Sequence, residues 1–155
     1  MKKALTVAFF ALTGCGEEAN GRMMFAQPSQ MDAEGLATLE GLPLLAGMEG
    51  RSYGVCNHFA INRDGMTSAD LAIYRKVFSQ SSLTSRDIEL MESDSWGTGQ
   101  SLLGLTCVLG YLPQINRAFY LGVGHQWQVV TNNNRSFIYL QGDGTETGMR
   151  VTSWN

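Results

Sequence analysis

The sequence predicts an α+β fold: a two-layer domain with short N-terminal helices packed on a three- to four-stranded antiparallel β-meander. Three observations carry this. Two Thr-Ser-x-Asp signatures and one apolar run ending at Gly110 mark helices between about residues 67 and 110. After Pro113 the hydrophobic period changes to two. Turn-forming Asn and Gly clusters then separate the remaining apolar segments.

Composition narrows the function classes. The chain has 155 residues, 44% apolar and only 16% charged, which fits one compact domain. Its formal net charge is −3 and no Lys/Arg cluster follows the N-terminus. Phosphate-backbone binding then lacks its main driving force, so nucleic acid is not an expected partner. No apolar run reaches the roughly 18–20 residues of a membrane-spanning helix.

Residues 1–14 read as a signal peptide, with Lys2-Lys3 followed by the apolar stretch Ala4 to Gly14. Leu12-Thr13-Gly14-Cys15 resembles the lipobox of bacterial lipoproteins. That resemblance implies cleavage before Cys15, diacylglycerol on its sulfur, and palmitate-type acylation of the new N-terminus. Several acyl chains on one residue form a stable anchor where a single chain is marginal. Gly16, rather than Asp, follows the Cys. In a Gram-negative cell this points to the outer membrane, lipid-anchored, at its periplasmic face. With Cys15 consumed, Cys56 and Cys107 either pair as a disulfide or remain two independent buried thiols.

Residues 15–33 read as a tether, 34–82 as a helical and loop element, and 83–155 as the α+β domain proper. Leu36, Leu39 and Leu42 share one face, which predicts a short helix within Ala33–Leu45. Gly47–Gly65 is rich in Gly and aromatic residues and reads as loop or short strand. Thr67-Ser68-Ala69-Asp70 opens a helix that continues to Phe78, with Leu71, Tyr74 or Arg75, and Phe78 at helical spacing. Thr84-Ser85-Arg86-Asp87 repeats the device for a helix bearing Ile88, Leu90 and Met91. A third helix runs from about Ser101 to Leu109, stopped by Gly110 with Pro113 beyond. Strands are expected at Arg117–Val123, His125–Thr131, Arg135–Gln141 and Met149–Trp154. Asn132-Asn133-Asn134 supplies a tight turn and Gly142-Asp143-Gly144 a looser one. Trp127 and Val129 share the strand face expected against the helices.

Several short motifs bear on chemistry. Gly50-Arg51-Ser52-Tyr53-Gly54 matches Gly-x-Ser-x-Gly, with His125 as its only candidate base. The nucleophile elbow needs a strand, a helix and a large parallel sheet around it. This chain is too short for that scaffold, and a Gly-rich turn is the plainer reading. Asn62-Arg63-Asp64-Gly65 with Asp70 has the outline of a calcium loop. Taking Gly65 as the sixth position puts Ala60 first and Leu71 twelfth, where an EF-hand needs carboxylates. Cys56-Asn57-His58 lacks the paired spacing of a zinc site. No Gly-rich phosphate loop follows a strand. No catalytic residue, cofactor or metal is therefore expected.

A wider pattern covers about the last 70 residues. It comprises the helix at Ile88–Met91, the apolar Trp96, Gly99-Gln100-Ser101, and Gly110-Tyr111-Leu112-Pro113. It continues through Gly122 to Trp127, Phe137-Ile138-Tyr139-Leu140 and Arg150 to Trp154. This arrangement resembles the SmpA/OmlA/BamE lipoprotein family. There a Gly-Met-Ser/Thr opens a helix closed by Gly-x-Pro, and an antiparallel meander follows. In this chain Gln100 takes the place of the Met and Leu112 is inserted before Pro113. Trp127 and Tyr139 are expected to supply core area. The resemblance implies a non-catalytic envelope lipoprotein that acts as an adaptor for a protein partner, such as the outer-membrane β-barrel assembly machinery. A protein-binding or inhibitory module of the β-lactamase-inhibitor kind shares the same small layout. A small serine hydrolase using Ser52 and His125 is the third reading.

Overall fold

A computed structural model of the protein describes residues 25–50, 53–131 and 136–155. The expected signal peptide, Cys15, Ser52 and the turn expected at Asn132–Asn134 lie outside the described residues. Five α-helices precede the sheet: α1 (Ala33–Glu40), α2 (Val55–Asn62), α3 (Ser68–Ser79), α4 (Ser85–Glu92) and α5 (Leu102–Leu109). Strands β1 (Gln114–Tyr120), β2 (Gly124–Val130), β3 (Phe137–Gly142) and β4 (Arg150–Trp154) follow. They form one antiparallel meander in the order β1-β2-β3-β4. The expected α+β two-layer architecture is the one observed.

Helix starts follow from short polar side chains that satisfy orphan N–H groups. Asp32 accepts from Gly35 N at 2.8 Å and starts α1. Thr67 with Asp70, and Thr84 with Asp87, form full capping boxes at α3 and α4. Ser101 Oγ accepts from Gly104 N at 2.9 Å and starts α5. Gly110 ends α5 in the left-handed region at φ 73°, which a residue with a Cβ would adopt only with strain.

Four expectations need correction. The Gly- and aromatic-rich stretch after Gly47 contains α2, because Val55, Cys56, Phe59 and Asn62 bury one helical face. The segment before residue 33 is not all tether. Pro28 is buried, Gln27 Nε2 donates to the Asn62 carbonyl, and Ser29 N donates to Asp70 Oδ1. The boundary drawn at residue 83 is crossed by a single apolar cluster holding Leu39, Val55, Phe59, Phe78, Met91 and Cys107. Strand β1 begins at Gln114, directly after Pro113, and ends at Tyr120. Leu121 to Val123 belong to the turn, where Gly122 has φ 82°.

The interior has two apolar clusters, and α5 serves both. Leu102 and Leu105 pack with Trp127, Val129, Ile138, Leu140, Met149 and Val151 beneath the sheet. Cys107, with Leu103 and Val108, faces the helical cluster. Phe59 makes edge contacts with Tyr74 and Phe78, at ring separations of 5.0 and 5.4 Å. A helix apolar on all sides is what a position between two layers requires. Burying each Leu of α5 contributes about 1.5–3 kcal/mol.

Candidate functional site: the outer face of the sheet

Alternation along the strands sorts side chains to two faces. Ile115, Trp127, Val129, Ile138, Leu140 and Val151 turn toward α5. The opposite face carries Asn116, Ala118 and Tyr120 on β1, Gln126 and Gln128 on β2, and Tyr139 and Gln141 on β3. All seven side chains are half-buried or exposed.

The register builds a polar row across four strands: Asn116 lies opposite Gln128, Gln128 opposite Tyr139, and Tyr139 opposite Ser153. Asn116 Nδ2 donates to Gln128 Oε1 at 3.0 Å, and Gln128 Nε2 donates to the Tyr139 hydroxyl at 3.5 Å. A β-bulge between Tyr139 and Leu140 bends the β3–β4 pair, and Thr152 Oγ1 donates to the Tyr139 carbonyl at 3.2 Å. Two shallow clefts flank Tyr139. One, of about 330 Å³, is lined by Gln126, Gln141, Thr152 and Ser153. The other, of about 250 Å³, is lined by Asn116, Ala118, Tyr120, Gln126 and Gln128. The first lies at the low end for small-molecule pockets and the second below it.

The chemistry here is hydrogen bonding in both directions. Carboxamides present donors and acceptors together, and phenols add flat apolar area with a polar tip. Charge is also sorted along the chain. No Asp or Glu occurs between Asp94 and Asp143, while Arg117 and Arg135 fall inside that interval. The acidic residues concentrate on the helical part, so the sheet is neutral to weakly basic.

The structure distributes the sequence-predicted residues as follows. Cys56 and Cys107 are bonded, with Cα atoms 5.1 Å apart, and tie α2 to α5. Cys56 is therefore consumed, and His58 Nδ1 sits 2.6 Å from the Tyr74 hydroxyl inside the helical cluster. Burial pushes the Tyr74 phenol up from its usual range, and the nearby Asp70 charge adds to the shift. His125 packs edge-on against Phe119 at 5.0 Å, on the face away from the clefts. Asp70 is a helix cap. Burial alone would raise its carboxyl, but hydrogen bonds from Ser29 and Thr67 outweigh that and hold it below the usual carboxylate range.

Of the motif residues, Ser101 caps α5, while Gly99 (φ 86°) and Gly110 take left-handed conformations. Pro113 immediately precedes β1. Trp96 is half-buried beside the sheet cluster, and Trp127 is buried within it, with the Arg117 guanidinium 4.7 Å from its ring centroid. Tyr139 departs from expectation: parity puts it on the outer face, half-buried, and not in the core. Trp154 ends β4 half-exposed. Asn116, Gln126, Gln128 and Gln141 are the residues of the face that sequence reasoning passed over. Their one signal was polar alternation, which any solvated sheet face shares.

Fold and face together define the class: an α+β domain whose open sheet face is a hydrogen-bonding surface. No protein-family model, curated relative or solved structure matches the chain.

Proposed function

We propose that the protein is a non-catalytic envelope lipoprotein, anchored through Cys15, that acts as an adaptor for a protein partner in outer-membrane protein assembly or envelope integrity. The observation that carries the binding role is the outer sheet face. Its Asn116–Gln128–Tyr139 row and two adjoining clefts present a broad, shallow, neutral surface suited to another protein. Two further features support the location. The Cys56–Cys107 bridge belongs to an oxidising compartment. Leu12 to Cys15 has the lipobox form, and a lipid tether raises the effective concentration of the domain near a membrane partner.

A photo-crosslinking residue placed at Gln126 in the native host tests the reading. The expected result is a discrete protein adduct in the envelope fraction, absent when the probe sits at Ser79 on the helical side. Mass spectrometry of the same material is expected to show an acylated N-terminal Cys15. A mature chain that retains Met1, or esterase or peptidase turnover abolished by Ser52→Ala, overturns the proposal.

A further inference from the structure

The two edges of the sheet are treated differently. The β4 edge is covered by the residues that lead into α5: Gly99 N donates to the Val151 carbonyl, Val151 N to the Gln100 carbonyl, and Leu102 N to the Met149 carbonyl. The β1 edge carries no such cover among the described residues. Natural sheets blunt an open edge with Lys, Pro, bulges or short strands. Strand β1 runs for seven residues and contains no Pro or Lys. Its one charge, Arg117, is drawn over the Trp127 ring.

The open edge continues into an apolar tip. Phe119 is 61% exposed, Tyr120 52%, Leu121 93% and Val123 61%. Contiguous apolar exposure of this kind marks an interaction surface. The Tyr120 carbonyl accepts from Val123 N in the hairpin turn, so it faces β2. Alternation then turns the backbone groups of Ile115, Arg117 and Phe119 toward the open edge.

From this geometry we infer that β1 is a self-association edge, on which a second copy of this chain pairs antiparallel about a two-fold axis at Ala118. The segment is self-complementary in that register. Arg117 falls opposite Phe119 of the second copy and Asn116 opposite Tyr120. Each pair joins residues of the same face, as antiparallel pairing demands. Arg117 meets an aromatic ring and no like charge, and its one carboxylate neighbour, Glu146 at 3.8 Å, is an exposed partner on its own chain. An axis at Arg117 would instead set two guanidinium groups face to face. The pairing makes an eight-stranded sheet whose outer faces run together, so the Asn116–Gln128–Tyr139 row is presented twice. A single strand edge with its hairpin tips is a small interface, so association depends on concentration.

The experiment uses the full-length chain with Cys15→Ser in mild detergent, so that an introduced Cys is the thiol open to oxidation beside the Cys56–Cys107 bridge, and it reads association without reference to any partner or to lipidation. Ala118 is the one position that faces itself, at the roughly 4.5–5.5 Å Cα separation of opposed antiparallel residues, within disulfide range. Ala118→Cys is expected to give a disulfide-linked dimer on mild oxidation, with helix and strand content unchanged by circular dichroism. Asn116→Cys alone and Tyr120→Cys alone are expected to stay uncrosslinked, whereas their mixture forms a heterodimer. Phe119→Lys places a cation beside the opposing Arg117 and is expected to abolish the concentration-dependent mass increase of the wild type in light scattering. A wild type that stays monomeric at all concentrations overturns the inference. So does crosslinking at Asn116→Cys as efficient as at Ala118→Cys. Binding of monomers to anionic lipid vesicles through Leu121, without self-association, assigns the tip to a membrane and equally overturns it.

Discussion

Asp87 and Ser101 join two helix N-termini through one carboxylate. Asp87 Oδ1 accepts from Ser101 N at 2.7 Å, and Oδ2 accepts from Ser101 Oγ at 2.9 Å. The same Oδ2 also accepts from Thr84 N and Thr84 Oγ1, both at 2.8 Å. Both residues are fully buried. The capping box of α4 is thus also the clamp that sets α5, and α5 carries the sheet. Gly104 belongs to the arrangement, because a Cβ there would collide with the Asp87 carboxylate.

The first prediction follows from that clamp. Asp87→Ala leaves two backbone donors and two hydroxyls without their acceptor, and should destabilise the fold by about 3 kcal/mol. Gly104→Ala should be of similar size, since the carboxylate must move to admit a methyl. Urea unfolding midpoints check both; a loss under about 1 kcal/mol for Asp87→Ala would show that the clamp carries little.

The disulfide gives the second prediction. Cys56 and Cys107 are separated by 51 residues, and the bridge closes most of the helical layer onto α5. Loop-closure entropy for a ring of that size corresponds to about 4 kcal/mol. Replacing both Cys residues by Ala should lower stability by that order, and reduction of the wild type should match it. Equal unfolding midpoints with and without reductant would contradict the account.

Much of this architecture was legible because the chemistry is local. Thr67 to Asp70 and Thr84 to Asp87 announce helix starts within four residues, and both capping boxes form. Period two after Pro113 announced the meander. Helix α2 escaped because Gly54, with no side chain to cap with, precedes it, and flanking glycines masked the spacing of Val55 and Phe59. The register of β1 slipped because Leu121 and Val123 prolong the alternation into a turn. Tyr139 was misplaced for a related reason: an aromatic residue in a strand fits either face, and only the pairing with β2 settles its parity. The candidate face was illegible because it consists of Gln, Asn and Tyr, whose significance comes from adjacency across strands. Asp70 and Asp87 read as caps, but that each second oxygen reaches a distant backbone N–H is a tertiary fact.

Asp70 supplies the third prediction, and its sign follows from linkage. Its folded pKa is held below the unfolded value of 3.8 by hydrogen bonds that outweigh burial. A depressed carboxyl pKa contributes stability that is fully present above the unfolded value and is lost as pH falls below it. Wild-type stability should therefore drop as pH descends from 3.8, and Asp70→Asn should be less stable at neutral pH with a flatter acid limb. Parallel acid limbs for the two proteins, by thermal unfolding between neutral pH and acid, would refute it.

The fourth prediction tests the face assignment on β2. Trp127 is 6% exposed beneath the sheet, and Trp127→Ala should cost about 3–5 kcal/mol. Gln128→Ala, its neighbour on the outer face, loses only partly exposed hydrogen bonds to Asn116 and Tyr139. It should cost under about 1 kcal/mol. Comparable losses at the two positions would mean that the inner and outer faces are assigned wrongly.

The last prediction concerns Gln100, which stands where the resembled pattern has Met. Gln100 is fully buried between Gly99 and the cap Ser101. Its Oε1 accepts from Gly97 N at 3.4 Å, a long bond, and its Nε2 has no hydrogen-bond partner among the described residues. A buried donor without a partner costs about 1–3 kcal/mol, while the bond its oxygen makes is at the weak end. Methionine has a similar length, no polar hydrogens and a flexible thioether that fills irregular space. Its substitution removes the orphan donor at the expense of one weak acceptor. The backbone of residue 100 keeps its own role, since the carbonyl accepts from Val151 N at 2.8 Å whatever the side chain. Gln100→Met should therefore stabilise the protein by about 1 kcal/mol and leave circular dichroism unchanged. Gln100→Leu, which is branched and shorter, should gain less. A fall in melting temperature for Gln100→Met would show that the carboxamide is satisfied in solution and that the Gln is there to hold the turn from Gly97 into α5.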